Sequence, residues 1–505
     1  MRALTSLAPP PRWLWLLLAA AVGALALWLW LHGLGRASFW HDEAFSLRMI
    51  DRPLGEIWGF DDDIHPPLFF FLLYFWLDWV GFDEFRLRLL SVLFALAALP
   101  AVYLIGRRCG GPWLGLATAA FFVSSPFVLR YAQELRAYTL LACACAWALY
   151  GFLRLVTDRA RAALPLTAPG SDRLAWALLA LGSVVALYTH NLGLLLPFTT
   201  SILALALWLP APDRLRLARN WTLVHLLVLL AWAPYLPALL HQTGLQGFAW
   251  IAEPSLDTVL RTEALVAFGI RDLGNPWTWP ALAGFLALAV LGVFALRGRP
   301  PIGALLLGAF FLPALGALLV SWVFSPVYIA RPLIWSEMPI AVLLGAGTMA
   351  LLSQPRRRLV PAALALLLLS LANAQNLQGE LRGSGDNWRM VARAVAERAL
   401  PGEPVVVPGL GGEPLAYYLR RIQVTEGKDV PQVIAVEAVL ATIAIELARA
   451  PDPERYLLIE TPWRPGRAGL LAMLRWRYPC HDIAGRSDSA GMILWRYERR
   501  AGCAR

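Results

Sequence analysis

The feature that most constrains this chain of 505 residues is a succession of apolar runs, each about 16 to 22 residues long, divided by short loops that carry arginine, proline or glycine. At 1.5 Å per residue a helix of about 20 residues crosses the ~30 Å hydrocarbon layer of a bilayer, where every backbone N–H and C=O must be paired inside the protein. The runs are rich in Leu, Ala and Trp and lack the strict alternation of barrel strands, so helices meet that demand. With 58% hydrophobic and 15% charged residues and a mean hydropathy of +0.57, the composition excludes a string of soluble domains. The chain reads as a polytopic α-helical membrane protein.

The expected spans are roughly 13–32, 89–106, 112–129, 138–155, 174–190, 192–209, 221–240, 279–296, 302–323, 332–351 and 359–375, about 11 in all. Arg2 and Arg12 precede the first run and place the N-terminus inside, and the run is too long for a cleaved signal core, so it reads as a retained anchor. The apolar stretch Pro67 to Phe82 is short and contains Asp78. Were it to cross, every later arginine-rich loop would fall outside, so it is expected to be a juxtamembrane or re-entrant helix. Arg107 and Arg108, Arg154 to Arg173, Arg214 to Arg219, Arg297 and Arg299, and Arg356 to Arg358 then all face the cytoplasm. The outward segments become 33–88, 130–137, His190-Asn191, 241–278 and 324–331.

Polar residues return near Asn376. A helical run, Trp388 to Leu400, alternates there with β-like runs at Pro404 to Val407, Arg455 to Glu460 and Gly491 to Tyr497. The expected domains are a transmembrane domain over 1–375 and a small α/β domain over 376–505, outside the membrane on the non-cytoplasmic side. A Cys480 to Cys503 bridge requires that side to be oxidising. The net charge of +10 is almost all arginine, with Lys428 the sole lysine, and points to topology and anionic lipid rather than to nucleic acid.

Chemistry is expected where ionisable groups gather at the outward edges. Asp42 and Glu43 follow the first span directly, and charge near a bilayer core costs roughly 2.5 to 3.5 kcal/mol on insertion scales, so acids kept at such an edge point to chemistry or transport. A solvated acid pair or a helix cap is the bland alternative. In the same loop Asp61-Asp62-Asp63-Ile64-His65-Pro66-Pro67 adds an imidazole able to hydrogen-bond a phosphate or orient a carboxylate. Tyr131-Ala132-Gln133-Glu134-Leu135-Arg136-Ala137-Tyr138 offers an arginine fork suited to phosphate and a carboxylate suited to a hydroxyl, although belt residues at an interface would look the same. Arg331, in Tyr328-Ile329-Ala330-Arg331, is a third cation at that edge, with snorkelling as its alternative. Metalloprotease, P-loop and nucleophile-elbow motifs are absent from the sequence.

These pieces, in this order, resemble the GT-C superfamily of membrane glycosyltransferases, in the branch with bacterial family-39-type enzymes, protein O-mannosyltransferases and the lipid A aminoarabinose transferase. The matching segments are Asp42-Glu43, His65-Pro66-Pro67-Leu68, Arg86-Leu87-Arg88-Leu89-Leu90-Ser91 and Gln133-Glu134-Leu135-Arg136-Ala137-Tyr138, with Asp386-Asn387-Trp388-Arg389 opening the tail. The resemblance covers about residues 13 to 210 and becomes diffuse beyond. It implies transfer of a sugar from a polyprenyl-phosphate donor to a lipid, glycan or protein acceptor at the outer face of a bacterial plasma (inner) membrane. It implies Asp42 as base, Glu43 as its positioning neighbour and Arg136 as the phosphate contact, with His65, Glu134, Tyr138 and Arg331 as further substrate-binding candidates. A divalent cation is used by some members and not by others. A transporter or flippase for an amphipathic substrate is the competing class, and it would favour internal repeats and charges near the midplane.

Overall fold

The computed structural model describes residues 10–58, 65–162, 173–209, 214–243, 251–276, 278–297, 302–353, 356–382, 387–408, 411–436, 453–460, 474–475, 477–489 and 491–503. Asp61, Asp62, Asp63 and Ile64, the breaker near Pro165 to Gly170, Arg299 and Asp386 lie outside the described residues. The chain folds as two compact units, one formed by residues up to 34 and from 53 to 382, the other by residues 35–52 and 383–505.

The first unit is helical. Its helices are α1 (Arg12–Leu31), α3 (Leu68–Val80), α4 (Glu84–Gly110), α5 (Pro112–Val123), α6 (Pro126–Ala132), α7 (Tyr138–Ala162), α8 (Arg173–Thr189), α9 (Leu195–Trp208), α10 (Arg214–Trp232), α11 (Leu236–Thr243), α12 (Leu256–Phe268), α13 (Thr278–Leu296), α14 (Ile302–Val323), α15 (Glu337–Leu352) and α16 (Arg356–Arg382). The second unit holds α2 (His41–Ile50), described below with its partners. Among the described residues nine helices are long and apolar enough to cross a membrane, or ten when the bent pair α5 and α6 counts as one. The eleven expected segments are all helical. Two depart from a plain span: 112–129 is bent, and 174–190 becomes a helix of 17 residues.

The bend has a local cause. Pro126 disfavours helical backbone at the residue before it, and Ser125 is extended, its hydroxyl accepting from the Val128 N–H at 3.3 Å to start α6 afresh. Ser124 donates its hydroxyl to the Ala120 carbonyl, and Asn373 of α16 donates to the Ser124 carbonyl at 2.8 Å, so the broken ladder keeps its partners. The two halves meet at 62°. α3 is 13 residues long, about 20 Å, and is too short to cross the ~30 Å core unaided. The helix that follows, α4, is capped by Asp83, whose carboxylate accepts from the Arg86 N–H. Glycine sets the closest packing in the bundle: α13 and α15 approach so nearly that a Cβ at Gly292 would strike the Leu343 carbonyl and one at Gly347 the Leu288 carbonyl.

The second unit contains a five-stranded sheet in the order β2-β1-β3-β5-β4, with β1 (Val405–Pro408), β2 (Val433–Val436), β3 (Arg455–Glu460), β4 (His481–Ser489) and β5 (Met492–Arg499). β2, β1 and β3 run parallel, and β5 and β4 continue the sheet antiparallel. α17 (Trp388–Arg398) and α18 (Gly412–Glu426) pack in the same unit, and a disulfide joins Cys480, ahead of β4, to Cys503, past β5. Tyr456, Leu458, Val406, Ile434 and Tyr478 form the sheet's apolar core.

Candidate functional site

In the helical unit the turn 133–137, between α6 and α7, gathers the polar groups. Gln133 anchors it, its amide nitrogen lying 2.9 to 3.3 Å from the carbonyls of Leu29, Trp30 and His32 at the end of α1. Ser91 of α4 donates its hydroxyl to the Arg136 carbonyl, and Leu135 is fully buried. Arg88, on the same helix as Ser91, is buried and donates to the Leu34 carbonyl at 2.9 Å, so it serves the frame of this turn.

The turn presents Arg136 to His65. The guanidinium Nη2 lies 3.1 Å from His65 Nε2, and Arg136 is only 6% exposed. Around the pair, Pro66, Phe69, Phe70, Tyr138, Thr189 and His190 line a small pocket. The ring of His190 stands 5.8 Å from that of His65 and 6.1 Å from that of Tyr138. His190 caps the short 3-10 turn Asn191–Leu194, its Nδ1 accepting from the Leu192 N–H at 3.0 Å. Burial first, then the neighbouring His65 and Arg136, hold the His190 imidazole well below its ordinary value. It is a neutral lining group beside a buried cation.

Glu134 is buried and lies within electrostatic reach of Tyr131 and Arg271; Arg331 lies within reach of Tyr131, which packs on Tyr138 at 4.9 Å between ring centres. His65, Arg136, Tyr138 and His190 therefore form one cluster, with Glu134 and Arg331 on the Tyr131 side of it. That side holds groups the sequence did not single out. Arg271 pairs with Glu380 at 2.6 Å, and Arg130 approaches the same carboxylate at 4.0 Å. The Tyr328 hydroxyl donates to Glu263 of α12 at 2.7 Å, and burial raises the Glu263 carboxyl above the usual range. Arg271 and Glu263 fall in the long segment 241–278, whose length was the only sequence signal, and Glu380 lies past the expected end of the last span.

Asp42 and Glu43 belong to the other unit, in the first turn of α2. The two neighbours differ. Glu43 is 1% exposed and its Oε2 accepts from the Trp40 N–H at 3.3 Å, reaching back to cap its own helix. Asp42 is half-buried, and its backbone carbonyl accepts from the Ser46 hydroxyl at 2.9 Å. Among the described residues no group of three or more His, Cys, Asp or Glu side chains converges as a metal site.

No family model and no curated protein matches the sequence. Among solved structures, ArnT from Cupriavidus metallidurans bound to undecaprenyl phosphate superposes with a TM-score of 0.57 at 13% identity, over 95% of this chain and 97% of that one. The Archaeoglobus fulgidus oligosaccharyltransferase AglB, in complex with an inhibitory peptide and a dolichol-phosphate, gives a TM-score of 0.57 at 10% identity, over 88% of this chain and 69% of that one. The chain has the fold of the GT-C membrane glycosyltransferases.

Proposed function

We propose that this protein is an inverting glycosyltransferase that moves a sugar from a polyprenyl-phosphate donor to a cell-envelope acceptor, a lipid, a glycan or a protein, at the non-cytoplasmic face of a bacterial inner membrane. The observation that carries the reading is a buried arginine fork beside a histidine in a GT-C fold. Buried cations of this kind suit a phosphate monoester or diester, and similar folds are seen with undecaprenyl phosphate and with dolichol-phosphate. The same likeness favours a transferase over a flippase. The Cys480–Cys503 bridge suits a C-terminal unit in an oxidising compartment, and hence the outward face.

In that reaction the acceptor hydroxyl attacks the anomeric carbon and a new C–O bond forms. The bond from that carbon to the phosphate oxygen breaks, with its electron pair leaving on the lipid phosphate. Asp42 takes the hydroxyl proton, and the charge developing on the phosphate is met by Arg136, with Arg331 as a second cation. His65 holds the Arg136 fork, Tyr138 walls the pocket beside it, and Glu134 serves an acceptor or sugar hydroxyl. Single displacement inverts the anomeric centre without a covalent enzyme intermediate.

The test is transfer of radiolabelled sugar from polyprenyl phosphate in membranes carrying the wild-type or the Asp42→Asn protein. The wild type is expected to cleave the phosphate ester, and the variant to lose about 100-fold or more of that rate at equal abundance. Membranes that move an intact lipid-linked sugar without ever cleaving it would overturn the reading.

A further inference from the structure

The helix that carries Asp42 is separated from residue 383 by more than 300 positions of chain, yet it packs with the C-terminal unit. The ties are specific and sit on both ends of the segment. At its start, the Trp388 N–H donates to the Ser38 hydroxyl at 2.9 Å, joining the segment to the first residue of α17. One residue on, the Phe39 N–H donates to the Tyr418 hydroxyl at 2.8 Å, a bond buried on both sides. The Phe39 ring is fully buried, edge-on to Tyr417 at 5.5 Å and stacked on Tyr418 at 6.4 Å between centres. At the far end of α2, Arg48 pairs with Glu413 at 3.0 Å, and Asp51 pairs with Arg420, both partners lying on α18.

A segment of 18 residues held in this way has its position dictated by α18. Phe39 is three residues from Asp42, and the backbone between them is closed by the Trp40 to Glu43 cap. Rotation of the Phe39 amide would therefore turn the first helical residues together. We infer that the C-terminal unit is the positioning device for Asp42, and that Tyr418 is the positioning residue that acts through the Phe39 amide. The catalytic consequence rests on the transferase reading above; the mechanical hold does not. The buried bond to Tyr418 is the decisive tie, because the Arg48–Glu413 and Asp51–Arg420 pairs are largely exposed and such pairs contribute little singly.

The experiment uses the full-length protein in lipid nanodiscs with two readouts, amide exchange of the segment 38–47 and steady-state transfer from a labelled polyprenyl-phosphate sugar. Tyr418→Phe keeps both ring contacts and removes the hydrogen bond to the Phe39 amide. It is expected to speed exchange at Phe39 about tenfold and lower kcat about tenfold, with KM for the donor within about twofold. Arg420→Asp, which sets two carboxylates side by side, is expected to lower kcat about threefold, and Asp51→Arg in the same chain to restore it. Unchanged exchange in Tyr418→Phe, or faster exchange with unchanged kcat, overturns the inference. If Tyr418→Phe fails to accumulate, the reversal pair tests the hold of α18 on α2, and absence of rescue by Asp51→Arg counts against the C-terminal unit as the positioning device. A wild-type protein that transfers no sugar fails the functional reading alone, and the exchange readout still tests the hold of α18 on α2.

Discussion

Arg136 donates to the Nε2 of His65 across 3.1 Å, and because a guanidinium has no acceptor, that nitrogen must be the unprotonated one. The arginine fork is thereby held with one nitrogen committed to the ring. Hydrogen bonds to charged groups contribute about 1.5 to 3 kcal/mol, or roughly tenfold to hundredfold in affinity. Arg136→Lys replaces the fork with a point charge that cannot both hold His65 and span two phosphate oxygens. Its expected effect is a rise of at least about tenfold in KM for the polyprenyl-phosphate donor, measured by transfer kinetics, with membrane abundance unchanged. A KM equal to that of the wild type would remove Arg136 from the phosphate site.

His190 predicts a pH effect on stability. Its folded-state value lies well below 6.5, so between that value and 6.5 the unfolded chain binds more protons than the folded one. The stability it contributes is complete above about pH 6.5 and is lost as pH falls through that window. The charged ring would also surrender the Nδ1 acceptor that caps the turn at Leu192. His190→Asn keeps a capping oxygen and does not titrate. Between pH 7.5 and 5 the Tm of the wild type should fall by about 2 °C in excess of the fall measured for His190→Asn. Parallel curves for the two proteins would exclude His190 as the titrating group.

Glu43 is expected from the sequence to sit beside Asp42 as a positioning acid, and in the structure its buried carboxylate caps α2 through the Trp40 N–H. A cap needs an acceptor and not a charge. Glu43→Gln should therefore keep transfer within about threefold, whereas Glu43→Ala loses the cap, about 1 kcal/mol, and should lower both amide protection of α2 and kcat about fivefold. Glutamine proving as damaging as alanine would show that the charge itself is required.

The bundle is legible in the sequence because apolar length is a local property: each expected span is helical, and the break at Ser124-Ser125-Pro126 is written in the residues themselves, although apolar length alone reads 112–129 as one span. His65 and Arg136 stand in the sequence as two separate candidates, because residue type and edge position carry no direction of approach across 71 positions. The grouping of residues 35–52 with the C-terminal unit is not legible there. It rests on contacts such as Phe39 to Tyr418, 379 positions apart, between residue types that any buried aromatic cluster would contain. Glu380 escapes for a simpler reason: α16 runs on to Arg382 as an amphiphilic extension after its apolar run has ended.

The Cys480–Cys503 bridge gives a test of the outward placement that needs no activity assay. Both cysteines are in the C-terminal unit, while Cys109, Cys143 and Cys145 are free thiols of the helical unit. A bridge forms and persists only where the surroundings are oxidising, so the protein taken from membranes after thiol trapping should, once unfolded, expose three alkylatable cysteines without reductant and five with it. Closing a loop of this size, the two cysteines lying 23 positions apart, contributes about 3 kcal/mol on the chain-entropy account. Cys503→Ser should accordingly lower the resistance of the C-terminal unit to proteolysis and leave the helical unit unaffected. Five reactive thiols before reduction, measured by mass shift in the trapped sample, would place the C-terminal unit in a reducing compartment and overturn the outward orientation together with its bridge.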